Sequence, residues 1–301
     1  MRPGPFRYHR AGSIEEAASM LQQLGEEARP LAGGQSLVPL MKLRLARPTD
    51  LVDLNFVPGL SYVRREEDQI RFGALTRHAE IADSEAVAHF PILHDCAAGI
   101  GDVQVRNRGT IGGSLAEADP SGDWAPVLLT HRTGIRCFGP EGERTVPLRE
   151  FILDAYTTAL GPGELVREIV VKAPAREKDE RIGGAYIAVK RCAQVYATAS
   201  VAVRLTLAGE VCREAAIFLG AVGLIPVEAK EAADALRGQA LSTKTIRAAS
   251  EAARAAGDPQ PDMRGSAEYK RMLAGALVRR AVGIAARRAR GEHVEAGHEY
   301  A

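Results

Sequence analysis

Two short glycine-rich segments carry the strongest chemical signal in the chain, Ala32-Gly33-Gly34-Gln35-Ser36-Leu37 and Thr110-Ile111-Gly112-Gly113-Ser114-Leu115. Adjacent glycines permit positive φ and let a bulky ligand approach the backbone closely. Consecutive N–H groups in such a turn make a concave anion nest, and a helix starting behind it adds a favourable dipole. Ser36 and Ser114 add hydroxyl donors. One such turn suits a phosphate, and two converging turns suit a pyrophosphate. A Gly-Gly pair is equally a plain tight turn, so the residues alone leave both readings open. The commoner phosphate motifs are absent. There is no Gly-x-x-x-x-Gly-Lys-Ser/Thr run, and Gly99-Ile100-Gly101 lacks the third glycine of the dinucleotide fingerprint.

The remaining reactive residues form no such set. Cys96, Cys137, Cys192 and Cys212 lie far apart with no Cys-x-x-Cys pair, so ligand spacing for zinc or an iron–sulfur cluster is missing. No metal is expected in this chain. His78, His89, His94 and His131 share one region, but none has the i, i+4 partner of a helical metal site, and structural or surface roles are expected of them. No Ser-His-Asp signature and no catalytic carboxylate pair can be identified from spacing, so no catalytic residue is assigned.

The elements that must position the two segments are readable in outline. Ser13-Ile14-Glu15-Glu16 reads as a capping box, opening a helix that stops at Gly25. Strands are expected at Arg29–Ala32 and Asp50–Leu54, with a helix over Leu37–Arg44 between them. Further strands are expected near Tyr62-Val63, Gln69–Gly73, Gly134–Phe138 and Glu164–Lys172. Helices are expected near His78–Ala82, Ile92–Ala98 and Trp124–Thr130, the last after a turn at Gly112-Gly113-Ser114. The charged run Ala175–Arg181 has no apolar face and reads as a linker or solvated hairpin. Beyond it Val201, Val203, Leu205 and Leu207 alternate as in a half-buried strand, pairing with Glu214–Gly220 across Gly209-Glu210. Helices follow over Val227–Arg237, Thr243–Ala256 and Ala267–Arg288. The expected domains are 1–55, 56–174 and 175–290, with a frayed polar tail at 291–301.

Composition narrows the class. The 301 residues are 46% hydrophobic and 26% charged, as in ordinary globular proteins. Lys plus Arg number 39 against 38 Asp plus Glu, a net charge of +1 that leaves no footprint for nucleic acid or an anionic membrane. No apolar run reaches the ~18 residues of a membrane span. The N-terminus lacks the apolar core of a secretory signal, and scattered cysteines suit reduced thiols in a cytoplasmic protein.

Read whole, the chain resembles the FAD-binding medium subunit of the molybdenum hydroxylases, the group of carbon monoxide dehydrogenase medium chains and the flavin domain of xanthine dehydrogenases. The residues that carry the likeness are Leu31–Arg44, then Thr110–Ala116 with Ala118-Asp119-Pro120. It extends through Phe72–His78, Gln104–Asn107, Tyr156–Leu160, Gly163-Glu164-Leu165 and Lys190-Arg191. The resemblance implies an α+β chain. Its FAD-binding fold would be of PCMH type (vanillyl-alcohol-oxidase-like) in two subdomains, followed by an α+β domain with a small antiparallel sheet and helices. It further implies FAD on this chain, with Ala32, Gly33, Gly34, Gln35 and Ser36 and Ile111, Gly112, Gly113, Ser114 and Leu115 around the pyrophosphate. Asp123 would accept from the ribose or adenine side, Leu160 and Lys190 would line the nucleotide and flavin ends, and Tyr196 would lie near the flavin ring. Thr76 and Thr110 are further candidates. On residue type alone Asp123 is as readily a helix-dipole partner, Lys190 a solvated strand residue, and Leu160 and Tyr196 packing.

By the same resemblance the partners are a small subunit with two [2Fe-2S] clusters and a large molybdopterin subunit, assembled as a dimer of heterotrimers. Electrons would enter from a cluster and leave to an external acceptor. The sequence departs from the family at Ala193-Gln194-Val195-Tyr196-Ala197, where a Gly-Asp-Tyr/Phe-Ala-like run is usual and no acid precedes the aromatic here. Two alternatives are a self-contained FAD-dependent oxidase and a non-redox nucleotide-binding scaffold. A covalent flavin anchor and a long substrate domain would mark the former, and the short helical C-terminal part does not favour it.

Overall fold

Three sheets, each drawn from a different stretch of sequence, organise an α+β chain. The computed structural model describes residues 2–297 and the backbone of residues 299 and 300. In the first unit β1 (Arg7–Arg10), β2 (Ala28–Leu31) and β3 (Asp50–Asp53) lie parallel in the order β1-β3-β2. Parallel neighbours need crossovers, which α1 (Ile14–Leu24) and α2 (Leu37–Lys42) supply. Ser13 Oγ accepts from Glu16 N at 3.1 Å. The Glu16 carboxylate, however, accepts from Gly12 N at 2.6 Å rather than from Ser13, so the expected capping box is offset by one residue. The helix ends at Gly25, whose φ of 72° suits only glycine comfortably.

Strand β1 has no apolar alternation and was not foreseen. It is held instead through the buried Asp50 carboxylate, which accepts from Arg7 Nε at 2.8 Å and Nη2 at 2.7 Å and meets His9 Nε2 at 2.7 Å. The Arg7 hydrogen bonds hold that carboxyl well below the usual carboxylate range.

The second unit begins with β4 (Val63–Arg65) and β5 (Gln69–Gly73). Five helices follow: α3 (His78–Ala82), α4 (Pro91–Gly99), α5 (Val103–Arg106), α6 (Ile111–Glu117) and α7 (Trp124–Leu129). Then come β6 (Arg132–Gly139), β7 (Gly142–Pro147), α8 (Leu148–Phe151), the ribbon β8 (Ile152–Asp154) with β9 (Thr157–Thr158), and β10 (Leu165–Lys172). Its sheet is antiparallel in the order β4-β5-β10-β6-β7. The helices close over the sheet around a core that includes Phe72, Ile81, Leu93, Leu115, Trp124 and Ile169.

The third unit is a meander of β11 (Glu180–Lys190), β12 (Ala199–Ala208) and β13 (Val211–Gly220), edged by β14 (Val227–Glu228). Helices α9 (Lys230–Asp234), α10 (Thr243–Ala256) and α11 (Ala267–Ala289) follow. The charged run expected as a linker already enters β11 at Glu180 and Arg181. The helix expected over Val227–Arg237 is shorter, because Val227 and Glu228 pair with Leu219 and Phe218 first. Residues 291–297 of the tail are not frayed, while residues 298 and 301 lie outside the described ones. Arg288 donates to Val294 O, Val294 and Ala296 pack on the core, and β15 (Glu299–Tyr300) pairs parallel with the end of β11.

The two faces of β11 have different partners. Ala185, Ile187 and Val189 pack with α11, and Gly183 lets that helix approach: a Cβ there would stand 1.9 Å from Ala285 O. Tyr186, Ala188 and Lys190 face the second unit, where Tyr186 and Ala188 join its core and Lys190 Nζ donates to Gly99 O at 2.9 Å. Burial on both sides erases the alternation that would mark a half-buried strand. Among the described residues no helix is long and apolar enough to cross a membrane.

Candidate functional site

A cleft of about 560 Å³ lies where the three units meet. That size is usual for a small-molecule or cofactor site. The first unit lines it with Arg29 to Leu37, from β2 to the start of α2; the second with Ala74, His78, Thr110, Gly112, Gly113, Ser114, Asp123 and Leu160; the third with Lys190 and Gln194 to Tyr196. The two glycine segments thus share one wall, and they touch. A Cβ at Gly33 would lie 2.2 Å from Arg108 O, and one at Gly113 would lie 3.6 Å from the Ala32 methyl.

Their backbones differ, however. At the first segment Gly34 has φ 74°, and the chain makes an open turn before α2. Among the described residues the N–H groups of Gly33, Gly34, Gln35 and Ser36 donate to no protein acceptor. Backbone donors left unpaired at a cleft wall need water or a ligand. The second segment is no turn: Gly112 and Gly113 sit in the first turn of α6. Thr110 caps it, accepting from Gly113 N at 3.1 Å. Ile111 N donates to Thr76 O at 3.1 Å, Gly112 N to Ala74 O at 2.9 Å and Ser114 N to Thr110 O at 3.0 Å. The expected second anion nest is therefore absent, because its N–H groups are spent inside the protein. Gly112 is required by close approach instead, since a Cβ there would lie 2.6 Å from Ala74 O.

Three expected site residues face away from the cleft. Thr76 is buried, its single hydroxyl proton shared between Gly73 O at 2.7 Å and Tyr62 O at 2.8 Å. Ile111 and Leu115 belong to the core of the second unit. The others, Ala32 to Ser36, Thr110, Gly112 to Ser114, Asp123, Leu160, Lys190 and Tyr196, line the cleft.

Asp123 precedes α7 but caps nothing with its side chain. Its Oδ1 accepts from Tyr186 OH at 2.6 Å and lies 3.2 Å from Lys190 Nζ. Lys190 is 1% exposed, so the solvated reading of it fails. A lysine ammonium is buried this deeply only when paired; here Asp123 and the Gly99 carbonyl, the latter at the end of α4, do so. Tyr196 stands at the rim, 43% exposed, with its phenol beside the Ser36 hydroxyl. Glu117 and Asp119 add negative charge to the lining, and burial followed by Asp119 pushes the Glu117 carboxyl up.

Two further residues bear on the cleft, Tyr186 and His78, neither of them expected there from the sequence. Tyr186 lies in a strand that gave no periodic signal, and it bonds the carboxylate that faces the cleft. His78 is buried, as a structural role requires, at 4% exposure, and it also lines the cleft. Among the described residues no three His, Cys, Asp or Glu side chains converge to hold a metal ion, and the four cysteines are unpaired.

A parallel three-stranded unit and an antiparallel one meet over a cleft with free turn amides, an arrangement suited to a phosphate-bearing ligand without a P-loop or Rossmann motif. The FAD binding domain in molybdopterin dehydrogenase matches residues 4–174, and the CO dehydrogenase flavoprotein C-terminal domain matches residues 184–285. The carbon monoxide dehydrogenase medium chain of Afipia carboxidovorans is 42% identical over 96% of this chain and 100% of its own. The nicotine 6-hydroxylase medium subunit of Paenarthrobacter nicotinovorans is 37% identical over 94% and 98%. The structure of carbon monoxide dehydrogenase from Hydrogenophaga pseudoflava superimposes with a TM-score of 0.91 at 39% identity, covering 96% of this chain and 100% of that one. Quinoline 2-oxidoreductase from Pseudomonas putida 86 gives 0.89 at 31%, covering 96% and 99%. The chain belongs to the FAD-binding medium subunits of the molybdopterin dehydrogenases. It is an oxidoreductase flavoprotein chain whose FAD-binding domain is of PCMH type.

Proposed function

We propose that this chain is the electron-exit subunit of a molybdenum hydroxylase complex. FAD in the cleft would take electrons from [2Fe-2S] clusters of a small partner subunit and pass them to an external acceptor. The observation that carries the reading is the cleft itself, with four unpaired turn amides at Gly33–Ser36 opposite a buried Lys190–Asp123–Tyr186 set. Such a donor set fits a diphosphate beside a sugar. The N–H groups of Gly33 to Ser36 hold the diphosphate, with the Ser36 and Ser114 hydroxyls as further donors. Asp123 Oδ2, which has no partner among the described residues, accepts from a sugar hydroxyl. Leu160 and Tyr196 bracket the apolar part of the cofactor. Bound FAD supplies the redox chemistry, and the protein supplies binding, orientation and exclusion of water.

Medium chains are, by name, parts of larger enzymes, and a large molybdopterin subunit completes the assembly we propose, a dimer of heterotrimers. The division we propose is 1–55, 56–174 and 175–290 with a polar tail at 291–301, and unpaired thiols suit a cytoplasmic setting. Relatives 35 to 42% identical are named for carbon monoxide, nicotine and glyceraldehyde. Substrates so unlike one another are read by another chain, so this one does not dictate the substrate.

The test is a visible spectrum of the chain purified alone and with its co-purifying partners. Flavin bands in both, with FAD released on denaturation and iron–sulfur absorption only in the complex, are expected. Turnover of a small substrate by the isolated chain would favour a self-contained oxidase. Absence of flavin from both preparations, even after FAD is added, would sink the reading.

A further inference from the structure

His78 combines deep burial with a ring nitrogen that the protein leaves unused. His78 is the first residue of α3, and its backbone N–H donates at 3.1 Å to the carbonyl of Gly109, the residue before the second glycine segment. Nδ1 accepts from Trp124 Nε1 at 3.1 Å, a bond buried at both ends. An indole N–H only donates, so Nδ1 must be the acceptor, and the neutral ring then carries its proton on Nε2. Burial pushes the imidazole down to about 4, so the neutral ring persists at physiological pH. The tautomer is therefore fixed by a neighbour 46 residues away in sequence.

Nε2 lies against the Gly109 backbone, where a Cβ would stand 2.8 Å from it, so Gly109 keeps the ring edge uncovered. No protein acceptor meets that N–H among the described residues, yet the atom is not sealed off from solvent, and His78 lines the cleft. A desolvated N–H with no acceptor costs free energy unless water or a ligand satisfies it. The same stretch of wall offers little else, because the N–H groups of Ile111 to Ser114 are spent inside the protein.

We propose that His78 is a cofactor-binding residue, its Nε2–H donating to an oxygen acceptor of FAD where the backbone of α6 cannot. This rests on the FAD reading above. Trp124 is then a positioning residue, holding the imidazole with its donor toward the cleft.

The test is ¹⁵N-histidine NMR of the full-length apo chain titrated with FAD, with quenching of flavin fluorescence followed in parallel. A single Nε2–H tautomer is expected for His78, assigned by its loss in His78→Phe. Its Nε2–H proton should move downfield on saturation. His78→Phe, which keeps a ring but no N–H, should bind FAD about tenfold more weakly. Trp124→Phe should release the tautomer into a mixture. Should the His78 signals stay still while fluorescence reports saturated binding, this inference alone falls. The same holds if the proton resides on Nδ1. If the wild-type chain binds no FAD at all, the functional reading falls and takes this inference with it. Should His78→Phe fail to fold, the wild-type titration still decides, with His78 assigned through His78→Gln.

Discussion

Single residues at this cleft are defined by partners far away in sequence. Lys190 and Asp123 are the clearest case, since each looks ordinary in its own segment. Removing the ammonium alone, as in Lys190→Met, leaves a buried carboxylate with only the Tyr186 hydroxyl. The expected cost is about 3–5 kcal/mol in urea unfolding of the apo chain, with part recovered in Lys190→Met/Asp123→Leu. A loss under ~1 kcal/mol would mean the pair is hydrated after all. His78 gives a pH signature at the same scale. Its folded pKa is pushed from 6.5 to about 4, chiefly by burial, so the unfolded chain binds a proton that the folded one refuses. Stability from this group is therefore full above pH 6.5 and declines as pH falls to 4, by about 3 kcal/mol at the lower end. The decline should flatten in His78→Phe when melting temperature is followed from pH 7 to 4.5; an unchanged slope would assign it to other groups, His131 foremost. Such roles were only partly legible in the sequence. The first glycine segment was readable because positive φ and free amides are local properties. Whether Asp123 caps α7 or bonds Tyr186 and Lys190 is decided by tertiary contacts, which spacing does not encode.

At the level of elements the sequence told most where periodicity or caps are local, as in α1, α10 and the β12–β13 hairpin. It told least where packing on two faces removes the pattern. Strand β11 contains Gly183-Gly184-Ala185, poor strand formers, because α11 lies against one face and Ile92 of α4 against the other. Gly183→Ala tests this reading. Its methyl would collide with backbone atoms of Ala285 and Ala289, which cannot rotate away. A loss of about 3 kcal/mol is expected, whereas Gly209→Ala, at an open turn with φ 57°, should cost about 1 kcal/mol. The loop before α11 also acts on the cleft. Arg264 donates to Ser121 Oγ at 3.0 Å and Ala197 O at 3.3 Å, tying the segment before Asp123 to the one after Tyr196. Asp262 holds Arg264 and Lys270, and Lys270 donates to Gln260 O. Arg264→Ala should speed FAD release and weaken affinity about tenfold, since two lost hydrogen bonds of ~1 kcal/mol each are partly replaced by water. Stopped-flow flavin fluorescence measures it, and an unchanged release rate would make the loop a purely structural clasp.

Across the whole molecule the boundary between the two matched domains is a sequence boundary more than a physical one. Residues 1–174 and the rest are joined by a short exposed charged stretch, which suggests separable parts. The core says otherwise. Tyr186, Ala188, Ala202 and Phe218 of the C-terminal sheet are buried within the second unit's hydrophobic cluster. The Arg288 guanidinium reaches back to Asp95 with contacts of 2.6 and 2.9 Å. Cutting at the charged stretch would expose that apolar wall and leave Asp95 and Asp123 without their buried cations. The cleft would also lose Lys190 and Tyr196. A fragment of residues 1–174 is therefore expected to bind FAD at least 100-fold more weakly than the full chain, or to be a molten species with exposed apolar surface. The intact chain is correspondingly expected to unfold as one cooperative unit. Calorimetry of the apo chain should give a single transition whose calorimetric and van't Hoff enthalpies agree. Two resolved transitions, with the FAD site surviving the first, would show that the C-terminal unit is an accessory to the cleft rather than one of its walls.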